Sequence, residues 1–209
     1  MFESTYKGRR VLVTGHTGFK GSWLCAWLLD LGATVAGFST NIPTKPSHFE
    51  VLRLTDRIEH FEGDVRNKGS LQKSIDKFCP EIVFHLAAQS LVRKSYEDPA
   101  LTFETNSIGT LNLLECLRNQ PSIKAAVLIT SDKCYENVEW LWGYRENDRL
   151  GGKDPYSASK ACAELISRAY MESFFKKNGP NIATARAGNV IGGGDWASDR
   201  IVPDCVRAW

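Results

Sequence analysis

The sequence lacks the patterns that mark disulfide-rich, metal-binding and membrane-spanning proteins. Its cysteines are scattered, without a C-x-x-C pair, and its histidines have no metal-like spacing: Cys25, Cys79, Cys116, Cys134, Cys162, Cys205, His16, His48, His60 and His85. This usage argues against a disulfide framework or a zinc site and predicts reduced thiols in a cytoplasm. No apolar run is long enough for a transmembrane helix, and Met1-Phe2-Glu3-Ser4 lacks the basic start and apolar core of a signal peptide.

An excess of charge of one sign is also missing. The net charge is +2 over 209 residues, and basic and acidic residues are mixed along the chain. Nucleic-acid and membrane surfaces call for concentrated positive charge, so we expect neither as a partner. Hydrophobic residues make up 43% and charged residues 24%, which is typical of a globular domain with a sizeable core.

Short apolar runs alternate with helical patterns along the chain. Strands are predicted at residues 11–13, 35–38, 58–61, 82–86, 125–129 and 182–184, and helices at 23–31, 71–78, 99–117, 156–175 and 202–209. Continuous apolar strands between helices predict a parallel sheet buried on both faces. Because crossovers in such sheets are right-handed, we expect a doubly wound α/β fold of the Rossmann type. Ligands would then bind beyond the carboxyl ends of the strands.

A glycine-rich loop joins the first predicted strand to its helix. Its glycines have the spacing G-x-x-G-x-x-G, at Gly15, Gly18 and Gly21. A tight turn before a helix N-terminus offers free amides and a positive dipole end to a pyrophosphate. The alternative is a turn whose glycines only let helix and strand pack closely. Lys20 can neutralise phosphate charge, although a solvated lysine explains it almost as well.

Tyr156 and Lys160 are four residues apart in a predicted helix that begins at Pro155, so they share one face. An ammonium about 4 Å from a phenolate contributes roughly 4 kcal/mol at an effective dielectric near 20. Lowering the pKa of a tyrosine from about 10 to about 7 takes about the same free energy. We therefore expect Lys160 to supply most of the shift that makes Tyr156 a general base. Chance Tyr-x-x-x-Lys pairs are common, so the other motifs decide.

The order of these motifs resembles the extended short-chain dehydrogenase/reductase family over essentially the whole chain. Asp64-Val65 follows the third strand and Leu86-Ala87-Ala88-Gln89 the fourth, between the glycine loop and Tyr156-x-x-x-Lys160. The resemblance implies Tyr156 as catalytic base and Lys160 as ribose ligand and pKa modulator. It implies NAD as cofactor, with these contacts: Gly15, Thr17, Gly18, Phe19, Lys20, Gly21, Ser39, Asp64, Val65, Leu86, Ala87, Ala88, Thr130, Tyr156 and Lys160.

The segment after the second strand departs from the usual NAD pattern. Phe38-Ser39-Thr40-Asn41 has no carboxylate to hold the ribose hydroxyls and no arginine to bind a 2′-phosphate. Ser39 can accept the ribose hydrogen bond. The segment therefore favours NAD without excluding NADP.

Ser131, Asp132 and Lys133 follow the fifth strand, and Ser131 matches the hydroxyl that simple dehydrogenases offer to substrate. A carboxyl and an amine beside a hydride site suit dehydration, because one protonates the leaving hydroxyl and the other handles the neighbouring C–H. Both can face one site only if the strand has ended, since neighbouring strand residues point to opposite faces. The alternative is a surface ion pair worth less than about 1 kcal/mol.

Within the family, this triplet resembles the nucleotide-sugar 4,6-dehydratases, which carry Thr-Asp-Glu here, and its lysine resembles their CDP-glucose branch. The run from Arg186 to Trp196 resembles the sugar-nucleotide pocket. The resemblance implies C4 oxidation by NAD, loss of water across C5 and C6, and hydride return to C6, in a cytoplasmic homodimer. Asp132 would protonate the C6 hydroxyl and Lys133 would be the C5 base. The implied substrate ligands are Gln89, Ser131, Asn189 and, as a weaker candidate, Arg200.

Two alternatives to the dehydratase stay open. A nucleotide-sugar 4-epimerase shares the glycine and Tyr/Lys motifs but has no use for Asp132 and Lys133. A non-catalytic NAD-binding module has no use for Tyr156 and Lys160. We expect a Rossmann domain over residues 1–186 and the start of a substrate-binding segment over 187–209. Family members continue beyond this point, so the chain is expected to be truncated, with the small C-terminal substrate domain largely absent.

Overall fold

The computed structural model describes Ser4–Trp209. Met1, Phe2 and Glu3, where the sequence shows no signal-peptide pattern, lie outside the described residues. The strands are β1 Arg10–Thr14, β2 Thr34–Ser39, β3 Glu59–Glu62, β4 Ile82–His85, β5 Ala125–Ser131 and β6 Asn181–Ala187. The α-helices are α1 Phe19–Asp30, α2 His48–Val51, α3 Lys68–Phe78, α4 Val92–Glu97, α5 Pro99–Phe103, α6 Gly109–Arg118, α7 Pro155–Tyr170, α8 Lys176–Asn178 and α9 Ile201–Ala208.

The six strands form one sheet with the order β3-β2-β1-β4-β5-β6, and every pair is parallel. This is the order of the doubly wound dinucleotide-binding fold, which reverses direction between β1 and β4. Thr14 pairs with His85, so the carboxyl ends of β1 and β4 meet at that reversal. The predicted α/β fold is confirmed, and the loops after β1, β4 and β5 lie at one edge of the sheet.

The hydrophobic core lies on both sides of the sheet because neighbouring strand residues point to opposite faces. Leu12 of β1 packs in one cluster with side chains of β2, α3, α6 and β5. Val11 and Val13 pack on the other face with α1 and α2.

Strand β6 departs from the expectation that the sheet is buried on both faces. Its residues Asn181, Ala183 and Ala185 are exposed, whereas Ile182, Thr184 and Arg186 are half-buried. The reason is that the helices before and after β5, α6 and α7, pack against each other and so cover the same face of the sheet. No described helix covers the other face of β6.

The observed helices lie close to the positions that local sequence signals predicted. Helix α7 begins at Pro155 as predicted, and the Asp154 carboxylate caps it by accepting from the Ser157 amide at 2.9 Å. The long helix predicted from Pro99 is α5 and α6, joined by a π-helical turn at Glu104–Ile108. Helix α1 begins at Phe19, four residues before the predicted start at Trp23. Within Ser4–Trp209, no helix has the length and apolar character needed to span a bilayer.

Candidate active site

The glycine loop after β1 is shaped by two close backbone approaches. Gly15 has φ +73°, and a Cβ there would lie 2.7 Å from the Ala87 amide nitrogen. A Cβ on Gly21 would overlap the Gly15 carbonyl oxygen. Only glycine fits either position, because the neighbouring atoms are backbone. The close packing of helix and strand, which the sequence left as an alternative to phosphate binding, is therefore present. It occurs together with an uncapped N-terminus of α1.

Helix α1 begins without a side-chain cap. Its N-cap is Gly18, whose position offers no side chain to accept from the first amides, and the first turn holds no acidic residue. The first amides of a helix have no acceptor within the helix and carry the positive end of its dipole. Helices α3 and α7, by contrast, are capped by Asn67 and Asp154. The start of α1 therefore fits a pyrophosphate.

Lys20 is half-buried in the first turn of α1 and is not the solvated lysine that the sequence left open. Burial lowers its pKa, and the positive charge of Arg200 lowers it further. The two cations therefore lie close enough to repel each other at the carboxyl edge of the sheet. An anion bound between them would relieve that repulsion.

Two residues expected at the cofactor bind each other instead. The Thr17 hydroxyl donates to the Asn41 carbonyl oxygen at 2.6 Å and lies 2.7 Å from Ser39 Oγ. Thr17 is buried, so its role is to fasten the segment after β2 to the glycine loop. Its expected contact with the cofactor stays a prediction. Ser39 is half-buried and its hydroxyl can make one more hydrogen bond.

Asp64 and Val65 follow β3 as expected, but the Asp64 carboxylate is already paired. Arg66 donates to it through its guanidinium at 2.7 Å and 2.9 Å and through its amide at 2.8 Å. Burial raises the pKa of Asp64, and the bonds from Arg66 outweigh burial, so the pKa is lowered overall. Val65 is buried, and a Cβ on Gly109 would lie 2.7 Å from its Cγ2. Val65 therefore packs against the helices rather than reaching into solvent.

The loop after β4 is held by its own polar groups. Leu86, Ala87 and Ala88 are half-buried where Gly15 approaches Ala87. The Gln89 side chain donates to Leu91 O at 3.1 Å and to Thr102 Oγ1 at 2.9 Å. Its Oε1 accepts from the Leu91 amide at 2.7 Å. Its amide group is therefore used within the loop here, and its contact with substrate stays a prediction.

Asn106 is a site residue that the sequence did not indicate. It lies in the π-helical turn, 1% exposed, and its Nδ2 donates to Gln89 O at 3.0 Å and to Ser159 Oγ at 2.9 Å. Its Oδ1 accepts from the Gln89 amide at 2.8 Å. Asn106 thereby ties the loop after β4 to α7, and π-helical turns often occur at functional sites. The available signal was an asparagine within an apolar helical run.

Tyr156 is buried beside Ser131, as the resemblance implied. Burial raises the pKa of the Tyr156 phenol. A hydrogen bond with the Ser131 hydroxyl and the charge of Arg200 oppose that rise, while the carboxylates of Asp132 and Asp154 add to it. The net direction is upward. Ser131 and Arg200 are therefore the groups that favour the phenolate.

Lys160 does not act on Tyr156 as expected. Its ammonium donates to the Ile129 carbonyl oxygen of β5 at 3.3 Å and is not among the charges that shift the phenol. Burial lowers the pKa of Lys160 to about 8, and the charge of Lys20 adds to this. The expected lowering of the Tyr156 pKa, mostly by Lys160, is therefore not seen here, and the role of Lys160 beside a bound cofactor stays a prediction. The contact that the ammonium makes is with strand β5, at Ile129 O.

The turn after β5 meets the condition that two adjacent polar residues need to serve one site. Strand β5 ends at Ser131, and Asp132–Cys134 form a single 3-10 turn. The Ser131 hydroxyl donates to Asp132 Oδ1 at 3.0 Å and accepts from the Lys133 amide at 3.2 Å. Asp132 and Lys133 are exposed, and neither forms an ion pair with a residue in the described range 4–209. The surface ion pair is therefore not observed.

Thr130 points away from the expected cofactor position. Its hydroxyl donates to the Glu164 carboxylate of α7, and the residue is buried. Alternation along β5 gives the reason, because residues on either side of Ile129 in the strand face α7. The Thr130 side chain is therefore used within the protein, and the contact of this residue with the cofactor stays a prediction.

The segment after β6 returns to the same edge of the sheet. A Cβ on Gly188 would lie 3.9 Å from Asp132 Oδ2, and Asn189 beside it is exposed. Arg200 is half-buried, its charge acts on Tyr156 and Lys20, and its Nε has no hydrogen-bond partner in the described chain. The half-buried guanidinium of Arg200 therefore suits an anionic substrate, and both Arg200 and Asn189 stay predicted substrate ligands.

Comparison with known proteins decides the family. A sequence model described as GDP-mannose 4,6 dehydratase matches residues 12–179. The chain belongs to this family. It is 56% identical over 209 residues to CDP-glucose 4,6-dehydratase of Salmonella typhimurium, covering 98% of this chain and 58% of that protein. This chain therefore spans little more than half the length of that relative.

Comparison with solved structures gives the same family assignment for this chain. UDP-glucose 4-epimerase of Thermus thermophilus in complex with NAD has a TM-score of 0.79 and 33% identity, over 91% of this chain and 58% of that one. A dTDP-glucose 4,6-dehydratase from Streptomyces venezuelae with NAD bound has a TM-score of 0.81 and 28% identity, over 95% and 61%. The resemblance to extended short-chain dehydratases and epimerases is confirmed.

Proposed function

We propose that this chain is part of a nucleotide-sugar 4,6-dehydratase that converts CDP-glucose to CDP-4-dehydro-6-deoxyglucose and water. The observation that supports the proposal is the turn after β5, in which Asp132 and Lys133 directly follow Ser131, and the Asp132 carboxylate is among the charges that act on Tyr156. An alcohol dehydrogenation alone needs only Ser131 and Tyr156. The named Salmonella relative, which is 56% identical, supports the choice of a CDP-linked sugar.

The proposed cofactor is NAD, on the glycine loop. The uncapped amides of Phe19, Lys20 and Gly21 would hold its pyrophosphate. When bound, NAD would supply the reversible hydride transfer that oxidation at C4 and reduction at C6 of the sugar require. The absence of an arginine among residues 38–41 supports NAD rather than NADP.

In the proposed reaction, Tyr156 takes the proton of the C4 hydroxyl. The Ser131 hydroxyl, turning from Asp132 to donate to the phenolate oxygen, and the charge of Arg200 would stabilise the phenolate against the effect of burial. Lys160 connects α7 to β5 beside the site, because its ammonium donates to the Ile129 carbonyl oxygen. The 4-ketone acidifies the neighbouring C5–H.

Water is then lost across C5 and C6. In our assignment, the Lys133 amine is the base that removes the C5 proton. The Asp132 carboxyl is the acid that protonates the departing C6 hydroxyl. The electron pair of the C5–H bond forms the new C5–C6 double bond as the C6–O bond breaks, so atoms and charge balance. Both side chains are exposed at the sheet edge, where a sugar can reach them.

We further propose a homodimer located in the cytoplasm. Apolar side chains on the α5–α7 layer support a partner surface: Ile108, Leu165 and Phe174 are 46%, 55% and 47% exposed. The six cysteines are unpaired, which supports a reducing compartment.

The test is to incubate the protein with CDP-glucose and NAD⁺ and to identify the product. A 4-keto-6-deoxy sugar nucleotide is expected. CDP-galactose alone would favour the epimerase, and NAD binding without any product would favour the non-catalytic module.

Lys133→Ala separates the dehydration from the binding steps. We expect this variant to bind NAD⁺ with unchanged affinity and to lose dehydration by at least about 100-fold, the usual contribution of a positioned general base. Lys73→Ala, at an exposed lysine on α3, is the matched control and keeps full activity. Unchanged turnover in Lys133→Ala would refute the role assigned to Lys133.

A further inference from the structure

A buried carboxylate on α7 takes no part in the proposed chemistry. Glu164 is 4% exposed and lies one turn beyond Lys160 on the same face of the helix. Its Oε2 accepts from Arg186 Nη2 at 2.8 Å and from Thr184 Oγ1 at 3.1 Å, and its Oε1 accepts from Thr130 Oγ1. A buried charge is costly unless it is paired in this way. Glu164 is thus an ionised group with three donors.

The three donors come from the two strands that carry the active-site edge. In the parallel ladder, Thr130 of β5 pairs with Arg186 of β6, and Thr184 lies two residues earlier in β6. Residues two apart in a strand share a face, so all three side chains point to α7. Thr130 directly precedes Ser131. The Glu164 carboxylate therefore fastens the strand immediately before the acid–base turn, which we define as residues 131–134.

Arg186 reaches the other end of the same turn. Its Nη1 donates to the Tyr135 hydroxyl at 2.8 Å, and its guanidinium lies 4.8 Å from the centre of the Tyr135 ring. Tyr135 directly follows Cys134, the last residue of the turn. One ion pair thus holds both ends of the acid–base turn: Glu164 holds Thr130 before it, and Arg186 holds Tyr135 after it.

We propose that the Glu164–Arg186 ion pair is a positioning device that fixes the acid–base turn relative to Tyr156 on α7. The inference rests on the proposed function for its catalytic consequence. A buried ion pair adds little to stability compared with apolar side chains of the same size, so stability alone is a weak reason for it. Acid–base groups, in contrast, need to be held within about 0.5 Å of their working positions.

Thr130→Val tests the device with little change of shape. The variant removes one hydroxyl donor from Glu164 and keeps the ion pair. We expect kcat to fall about 10-fold to 100-fold, the range that a misplacement of up to about 1 Å causes, with KM and NAD⁺ affinity within about twofold. Thr130→Ser keeps the hydroxyl and is expected to restore kcat.

Tyr170→Phe is the matched control on the same helix. It removes a hydrogen bond of 2.8 Å from Tyr170 to the Glu115 carboxylate, at the opposite end of α7 from Tyr156. We expect its kcat to be unchanged. A loss in Tyr170→Phe equal to that in Thr130→Val would overturn the proposal, because it would show a general loss of helix packing.

Amide hydrogen exchange gives a readout that does not depend on turnover. In Thr130→Val, residues 131–135 are expected to exchange about tenfold faster, as one lost net hydrogen bond allows, while α1 exchanges as before. If that change occurs and the wild type forms no dehydrated product, the proposed function fails and the positioning role stands. Unchanged exchange of residues 131–135 together with unchanged kcat would refute the positioning role.

Discussion

Replacing Gly15 with alanine is expected to damage the glycine loop, whereas the same replacement at Gly8 is expected to be mild. The two glycines have nearly the same backbone conformation, with φ of +73° and +71°. Their surroundings differ. A Cβ on Gly15 would lie 2.7 Å from the Ala87 nitrogen and 2.8 Å from the Ala87 Cα, and a Cβ on Gly8 would meet nothing within 4 Å. The pair therefore separates backbone strain from steric overlap.

The magnitudes follow from these two contributions. A left-handed conformation costs a residue with a Cβ about 1–2 kcal/mol, and this cost is common to both variants. Overlap with backbone that cannot rotate away adds about 1–3 kcal/mol in Gly15→Ala alone. The expected total of about 2–5 kcal/mol at Gly15 is a large share of the ~5–15 kcal/mol by which a domain is stable.

Urea unfolding measures both variants, with the m-value checked for constancy, and calorimetric titration with NAD⁺ measures binding. Gly15→Ala is expected to lose more stability than Gly8→Ala and to bind NAD⁺ at least tenfold more weakly, since the loop must move from Ala87 by a few tenths of an ångström or more. Equal losses of stability in the two variants would refute the steric reasoning. Undiminished NAD⁺ affinity in Gly15→Ala would refute the placement of the pyrophosphate.

Two predictions concern pH. Burial lowers the pKa of Lys160 to about 8, so the unfolded chain binds the extra proton and stability rises as pH increases from 8 to the ordinary value of 10.5. Lys160→Met should therefore raise the unfolding free energy at pH 7 by up to about 3 kcal/mol and narrow the difference between pH 7 and pH 10 in urea midpoints. Burial lowers the pKa of His85 to about 3, so wild-type stability falls as pH drops from 6.5. His85→Gln should reduce that slope by about 1.4 kcal/mol per pH unit, and parallel curves would contradict it.

The fold was predictable because its signals are local or depend on chain order alone. The apolar runs and the intervening helical patterns determine a parallel sheet, and the handedness of the crossovers limits its topology. Asp154 and Pro155 determine where α7 begins, because a side-chain cap and a fixed φ act within one turn. The same order of elements brings the loops after β1, β4 and β5 to one edge of the sheet. The resemblance to the family came from the order of the glycine loop, Asp64-Val65, Leu86-Ala87-Ala88-Gln89 and Tyr156-x-x-x-Lys160.

The hydrogen-bond partners of individual polar side chains were not predictable from local signals. Gln89 bonds Thr102, and Thr130 bonds Glu164, 34 residues along the chain. Neither partner can be inferred from spacing, because each lies on a helix whose rotation depends on packing. Lys160 was expected to face Tyr156, yet its ammonium donates to Ile129 O. Four residues in a helix bring two side chains to one face but do not make them touch.

The sequence by itself determined the class of fold, the edge of the sheet that holds the site, and the residue types needed for hydride and acid–base chemistry. These follow from periodicity, glycine spacing and caps, which act over a few residues. The tertiary structure decided that β5 ends at Ser131, so that Asp132 and Lys133 leave the strand together, and that the pair of Glu164 and Arg186 holds both ends of their turn. Such contacts join residues from a helix and two strands, and only the packed chain brings them within hydrogen-bond distance.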